Sequence, residues 1–204
     1  YLFLLTGGSF ILASCNDFLD REPLDSVTPD NFFFTENDLA AYAVKHYNFT
    51  THEGFNAGIW KNDNATDNQA ATDYDKKWIP GQWKVPEAYD NPASNDPWYF
   101  STIREANYFL ETVVPRFEKG EIEGSETNIK HYIGEIYFLR AKNYLSKLET
   151  FGDFPIIKNT LPDESESLIQ ASKRAPRYKV AHFILEDLDQ AISLLTNNIS
   201  GGKN

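Results

Sequence analysis

The second half of the chain carries apolar side chains at the three- and four-residue spacing of an amphipathic α-helix. This pattern predicts helices over about 97–118, 126–151 and 176–195. The first two are joined by a short charged turn, so they are expected to fold back on each other as an antiparallel hairpin. With one more helix over 36–48, the sequence predicts an all-α fold apart from minor extended pieces. Helical hairpins of this kind are the units from which solenoids are stacked.

The ends of these helices coincide with stop and start signals. Thr35 precedes the first helix, and the carboxylate of Asp38 follows three residues later, which is the pattern of a capping box. Asp96 and Pro97 are typical of a cap followed by proline at the first helical position. Gly152 ends the long helix, and residues 161–173 are polar enough to predict a loop.

A long segment without helical or strand periodicity separates the first two helices. Residues 49–97 are rich in Asn, Asp, Gly, Pro and Thr, and a stretch of this length inside a compact domain is usually functional or disordered. Disorder fits poorly because the segment is aromatic, and all four tryptophans of the chain fall between residues 60 and 98. We therefore interpret the segment as a functional, aromatic-rich loop insertion.

Composition restricts the class of protein and the kind of partner. The chain has 204 residues, of which 41% are hydrophobic, and this is enough for one domain with a real core. Its formal net charge of -11 argues against nucleic acid as a partner, because phosphate binding depends on Lys and Arg. The same charge argues against electrostatic binding to anionic lipid head groups.

The N-terminus has the pattern of a lipoprotein signal. Residues 1–12 are uncharged and too short to span a bilayer permanently, and the small residues Ala13 and Ser14 lead into Cys15, the only cysteine. A lone thiol cannot form an internal disulfide, and the residues after it turn abruptly polar. We predict that residues 1–14 are a signal peptide whose charged n-region is missing, and that Cys15 is lipidated. The alternative is a cysteine that lies near a cleavage site by chance.

Several local motifs occur in an order typical of one known family. They are CNDFLDREP at 15–23, PDNFF at 29–33, WY at 98–99 with IREAN at 103–107, GEIYFLRA at 134–141, Tyr144 with FGDFP at 151–155, and residues 174–195. With these motifs the chain resembles the N-terminal part of the SusD/RagB family of surface-exposed outer-membrane lipoproteins. The resemblance covers nearly all of residues 15–196.

The resemblance implies a fold, a function and a domain layout. It implies tetratricopeptide-like helical hairpins with a long loop insertion, and a non-enzymatic protein that captures oligosaccharide or polysaccharide. The implied partner is a SusC-like TonB-dependent transporter, of which such proteins form the lid, and no cofactor is implied. Residues 15–35 are then a lipidated tether with an extended segment, and residues 36–204 a SusD-like N-terminal helical domain that is incomplete at its C-terminus.

The aromatic loop contains the candidate glycan site. Sugar rings stack their C–H faces on indole rings, and their hydroxyls need polar partners, much as bases stack on aromatic side chains. We therefore predict that Trp78 and Trp83 stack on glycan, with Asp67 and Asn68 as hydroxyl partners. The alternative is that these tryptophans form a small core that holds the loop in shape. Trp98, at the start of a helix, is expected to pack.

Catalytic and metal sites have little support in the sequence. The four histidines form no His-x-x-x-His pair, and the acidic run from Asp63 to Asp67 lacks the glycine and terminal glutamate of a calcium loop. Arg140 lies on the apolar side of a helix and is expected to pack there, paired with Glu105 or Glu111. The leading hypothesis is a glycan-binding lipoprotein, the alternative is a structural lid without glycan affinity, and a glycoside hydrolase is disfavoured.

Overall fold

The computed structural model of the chain describes residues 32–47, 79–82, 84–86 and 96–197. The described residues form five α-helices. They are α1 Glu36–Lys45, α2 Ser101–Glu118, α3 Glu126–Phe151, α4 Ser165–Ala171 and α5 Arg177–Leu194. Apart from two isolated β-bridges, the described residues contain no pairing of extended chain. The all-α prediction is therefore confirmed.

The long helix α3 lies at the centre and packs against α1, α2 and α5. Asn107 of α2 meets Arg140 of α3, and Tyr99, before α2, meets Lys147 further along α3. Earlier residues at α2 thus meet later residues of α3. The two helices are therefore antiparallel and form the expected hairpin. Arg140 also meets Asp187 of α5, while His131 meets Thr196, just beyond the end of α5. Helix α5 is therefore antiparallel to α3 as well.

The start of α1 has the predicted capping box. The hydroxyl of Thr35 accepts the backbone N–H of Asp38, and the Asp38 carboxylate accepts the backbone N–H of Thr35 at 2.9 Å. Together these bonds satisfy two of the N–H groups that every helix start leaves without an intrahelical partner. The helix ends at Lys45, three residues before the predicted end.

Two further features differ from the prediction. The Asp96 carboxylate accepts the N–H of Trp98 at 2.8 Å, and its carbonyl accepts the N–H of Tyr99, so residues 96–99 form a turn. Helix α2 consequently begins at Ser101 instead of 97. The region predicted as a polar loop contains α4, whose seven residues include no buried side chain. A helix of two turns with no buried face produces no periodic signal in a sequence.

Two groups of buried side chains make up the core. The first lies between α1, α2 and α3, and the second between α2, α3, α5 and the segment after α3. Phe33 and Tyr144, both with 0% exposure, lie in the first and second groups respectively. Residues 32–35 are the end of the segment that was predicted to be extended. Through Phe33 they pack against the helices.

One glutamate ties α1 to the start of α3. The carboxylate of Glu36 accepts the backbone N–H of Ser125 at 2.8 Å and the side-chain amide of Asn128 at 2.6 Å. The chain passes so close to Glu36 that a Cβ at Gly124 would lie 2.5 Å from the Glu36 Cβ. Gly124 has φ +137, which side chains rarely adopt, so the turn before α3 requires glycine.

A second glycine permits the close approach of α3 and α5. A Cβ on Gly134 would lie 3.1 Å from the Leu194 Cβ and 3.2 Å from the Ala191 carbonyl oxygen.

None of the helices in the described part of the chain combines the length and apolar character needed to cross a membrane.

Candidate functional site

A concave cleft lies between α2, the segment at 155–161 and α4. Its volume is about 590 Å³, and apolar side chains make up most of its lining. Its walls include Trp98, Phe100, Ile103, Ile157, Leu161 and Leu168. Small-molecule sites in proteins have the same range of volumes and the same apolar character.

Trp98 forms one end of this cleft and is held by three contacts. Its indole N–H donates to the Pro86 carbonyl at 2.7 Å, and its ring centroid lies 4.2 Å from that of Phe151. The Arg174 guanidinium lies 5.2 Å from the Trp98 ring, a cation–π contact. The expectation that Trp98 packs is therefore confirmed.

A buried ion pair between Arg140 of α3 and Asp187 of α5 contacts Asn107 of α2, which lines the cleft. Arg140 donates to Asp187 from Nε and Nη2, both at 2.8 Å, and from Nη1 to the Asn107 side-chain oxygen at 2.8 Å. The Asn107 amide donates in turn to the carbonyls of Ile157 and Asn159. This network connects α2, α3, α5 and the segment that forms the wall of the cleft.

The partner predicted for Arg140 is wrong. Glu105 lies within 3.3 Å of Lys45 on α1, and Glu111 accepts the N–H and hydroxyl of Thr160. The sequence predicts a partner on α2, the neighbour in the hairpin, whereas Asp187 lies on α5. An aspartate within the apolar stripe of α5, between Ile184 and Ala191, was the available signal.

Tyr144 fixes the segment that follows α3. Its hydroxyl accepts the N–H of Ile157 at 2.8 Å and donates to the carbonyl of the same residue at 3.1 Å. Burial raises the pKa of Tyr144 to about 12, so the hydroxyl stays protonated and keeps both bonds throughout the physiological range. One side chain thereby replaces the partners that a neighbouring strand would supply to this extended segment.

Two contacts attach the ends of the aromatic loop to α3. At the first end, the Tyr47 hydroxyl donates to Glu135 at 2.5 Å. At the second end, the buried Lys147 ammonium donates to the carbonyls of Pro97 and Tyr99. Burial lowers the pKa of Lys147, opposed by the charge of Asp96. Both ends of the insertion are therefore held by the central helix.

The residues predicted to bind glycan lie outside the described residues. This applies to Trp78, Trp83, Asp67 and Asn68, and also to Cys15. The structure describes residues 79–82 and 84–86, on either side of Trp83, and both stretches are largely exposed. Among the described residues, no group of three or more His, Cys, Asp or Glu side chains is placed to hold a metal ion. The glycan site stays a prediction.

Comparison with known proteins identifies the family. Residues 17–201 match a protein family described as SusD-like, starch-binding and associating with the outer membrane. The chain belongs to this SusD-like family. Two SusD-like proteins of Formosa agariphila are 25% and 27% identical to it, over 88% and 96% of this chain.

The SusD-like relatives are much longer than this chain. The alignments cover only 35% and 37% of the two Formosa agariphila proteins. A crystal structure of a SusD-like protein from Bacteroides fragilis superposes with a TM-score of 0.55 at 23% identity, over 89% of this chain and 34% of that one. This likeness confirms the SusD-like helical fold. The chain thus spans about a third of the proteins it matches.

Proposed function

We propose that this chain belongs to a lipid-anchored outer-membrane protein that binds oligosaccharide or polysaccharide and passes it to a SusC-like TonB-dependent transporter. The observation that carries the proposal is the match of residues 17–201 to a family described as starch-binding and associating with the outer membrane. The protein acts by binding, without catalysis. Residues 1–14 are the signal peptide, 15–35 the tether and 36–204 the helical domain in this proposal.

The helices support this function by presenting the aromatic loop. The loop begins after Tyr47 and ends before Trp98, and both ends are attached to α3. Trp78 and Trp83 supply flat apolar surfaces in this loop, and Asp67 and Asn68 supply the hydrogen-bonding groups that hydroxyls require. Indole rings with nearby amide and carboxylate groups suit carbohydrate better than they suit an apolar ligand, because a sugar ring has both an apolar face and a polar edge.

Replacing Trp78 or Trp83 by alanine is expected to weaken glycan binding by about 5- to 150-fold each, taking as a guide the about 1–3 kcal/mol that stacking on one aromatic ring contributes for a nucleobase. Binding is measured by calorimetry and affinity electrophoresis against a panel that includes starch oligosaccharides. Trp60→Ala is the matched control, since Trp60 lies in the same loop but is not assigned to the site. Equal affinity of the wild type and both variants would show that the assigned residues do not form the site.

Two other outcomes decide between the remaining hypotheses. A wild-type protein that binds no glycan of the panel but copurifies with its transporter would favour the structural lid. Release of reducing sugar during incubation with the same glycans would reveal a hydrolase.

Replacing Cys15 by alanine is expected to move the protein from the membrane fraction to the soluble fraction. The thiol receives the lipid, and only two or more acyl chains give stable attachment. The test expresses the chain behind a complete lipoprotein signal and compares the fractions and the intact masses of wild type and variant. If the variant stays in the membrane fraction and its mass differs from that of the wild type only by the substitution, lipidation at Cys15 is refuted.

A further inference from the structure

The cleft between α2, the 155–161 segment and α4 has a charge opposite to that of the chain as a whole. Arg104 and Arg174 are both part of its lining, and no aspartate or glutamate is among the described residues that line it. The chain has a formal net charge of -11, so a concave surface with two cations and no acid departs from its general composition. This local charge favours an anionic ligand.

Both arginines have donors available for such a ligand. Each side chain is exposed, and neither forms an ion pair with any residue that the structure describes. The contact of Arg174 with the Trp98 ring uses the face of the guanidinium and leaves its N–H groups free to donate. A guanidinium held in this way binds a carboxylate through two parallel hydrogen bonds, which is the geometry that arginine provides and lysine does not.

The remaining surface of the cleft favours a hydrocarbon body over a sugar. Besides the two arginines, the polar residues in the lining are Asn107, Ser172 and Asn159, which lies at the exposed edge. Asn107 already uses its side chain on Arg140, Ile157 and Asn159, and the Ser172 hydroxyl donates to the Ile169 carbonyl. Sugar hydroxyls placed against the apolar walls would lose water without gaining partners, which costs free energy for each group. The Trp98 ring is already in contact with Phe151 and Arg174, so it is not an open stacking platform.

We propose that this cleft binds a small amphipathic carboxylate, whose hydrocarbon or aryl body packs on Leu161 and Leu168 and whose carboxylate pairs with Arg104 and Arg174. The volume of about 590 Å³ accommodates such a molecule. The proposal uses none of the residues assigned to the glycan site in the aromatic loop, and either one stands without the other.

The test titrates the 204-residue chain with octanoate and, in parallel, with octanamide, its uncharged counterpart, by calorimetry. Octanoate is expected to bind saturably, and octanamide about tenfold more weakly, since a hydrogen-bonded charge contributes about that factor. Arg174→Gln and Arg104→Gln are each expected to weaken octanoate binding by a similar factor and to leave octanamide binding unchanged. Lys173→Gln is the matched control, because Lys173 is the exposed neighbour of Arg174 and contacts Gln170 instead of the cleft.

A second variant tests the position of the hydrocarbon body. Ala171 belongs to the lining of the cleft, so Ala171→Phe is expected to abolish binding of both ligands while leaving the circular dichroism spectrum unchanged. Failure of octanoate to bind saturably would overturn the proposal, as would an octanoate affinity equal to that of the wild type in both arginine variants. Tighter binding of an acidic oligosaccharide with the same dependence on Arg104 and Arg174 would also overturn it, because the ligand would then be a sugar.

Discussion

Asp187→Ala is expected to lower the free energy of unfolding by about 3–5 kcal/mol, because it leaves the buried Arg140 guanidinium without its ion-pair partner. The wild-type pair is 7% and 4% exposed at its two side chains and is joined by two hydrogen bonds of 2.8 Å. Without Asp187, Arg140 is also held less firmly in its hydrogen bond to Asn107, the contact that links it to α2. Chemical denaturation followed by circular dichroism gives the measurement.

The neighbouring residue provides the control for Asp187→Ala. Glu186 forms an exposed ion pair with Lys158 at 3.3 Å, with side chains 65% and 57% exposed. Such surface pairs contribute between about 0 and 1 kcal/mol, so Glu186→Ala is expected to have little effect. Equal destabilisation by the two variants would contradict the difference in burial that the structure assigns to adjacent positions of α5.

The complementary variant Arg140→Met is expected to make stability depend on pH. Burial raises the pKa of Asp187, and Arg140 opposes that rise through its hydrogen bonds and charge. Without Arg140, the pKa of Asp187 in the folded state rises further above its value in the unfolded chain, which is about 3.9. Between these two pKa values, Asp187 keeps its proton in the folded variant and has lost it in the unfolded chain. The stability of the variant therefore falls as the pH rises from the lower pKa to the higher one. Urea unfolding should show a smaller loss at about pH 4.5 than at about pH 7.5.

Phe33→Ala is expected to cost about 3–5 kcal/mol, as truncation of a fully buried aromatic side chain does. The Phe33 ring is 0% exposed and makes edge-to-face contacts with Tyr42 at 5.1 Å and Phe109 at 5.3 Å. These contacts hold residue 33 in place although its φ of 71° is unfavourable for a side chain. Thermal and urea unfolding measure the loss.

Two further variants separate packing from backbone strain at this position. Glycine tolerates a positive φ, so Phe33→Gly is expected to be more stable than Phe33→Ala by about 1 kcal/mol, the reverse of the usual order. Phe34→Ala is the packing control, because the Phe34 ring is 41% exposed and rests on Arg116 at 4.1 Å. A loss for Phe34→Ala as large as that for Phe33→Ala would contradict the assigned burial.

The sequence predicted those helices whose buried residues recur at helical spacing over several turns. Helices α2, α3 and α5 each bury one face over several turns, and Thr35 with Asp38 carries the start signal of α1. Helix α4 was missed because it buries no side chain. The partner of Arg140 was missed because it depends on how α5 docks on α3, and spacing within one helix carries no information about docking.

The cleft was not predicted for a related physical reason. Trp98, Ile157 and Arg174 come from three separate parts of the chain, and only the packing of the segment after α3 brings them to one surface. The tryptophan cluster in the loop was visible in the sequence because its members are close in the chain. Its members Trp78 and Trp83 stay predictions, since they lie outside the described residues.

The attachment of both ends of the aromatic insertion to one helix makes the fold tolerant of change within the insertion. Glu135 and Lys147, which hold its two ends, are twelve positions apart on α3, or about 18 Å along the helix axis. A loop whose anchor points stay at a fixed spacing can gain, lose or exchange residues without disturbing the helices beneath it. Changes of sequence or length within the insertion are therefore expected to leave the helices intact, whereas a change at Glu135 or Lys147 would release one of its ends.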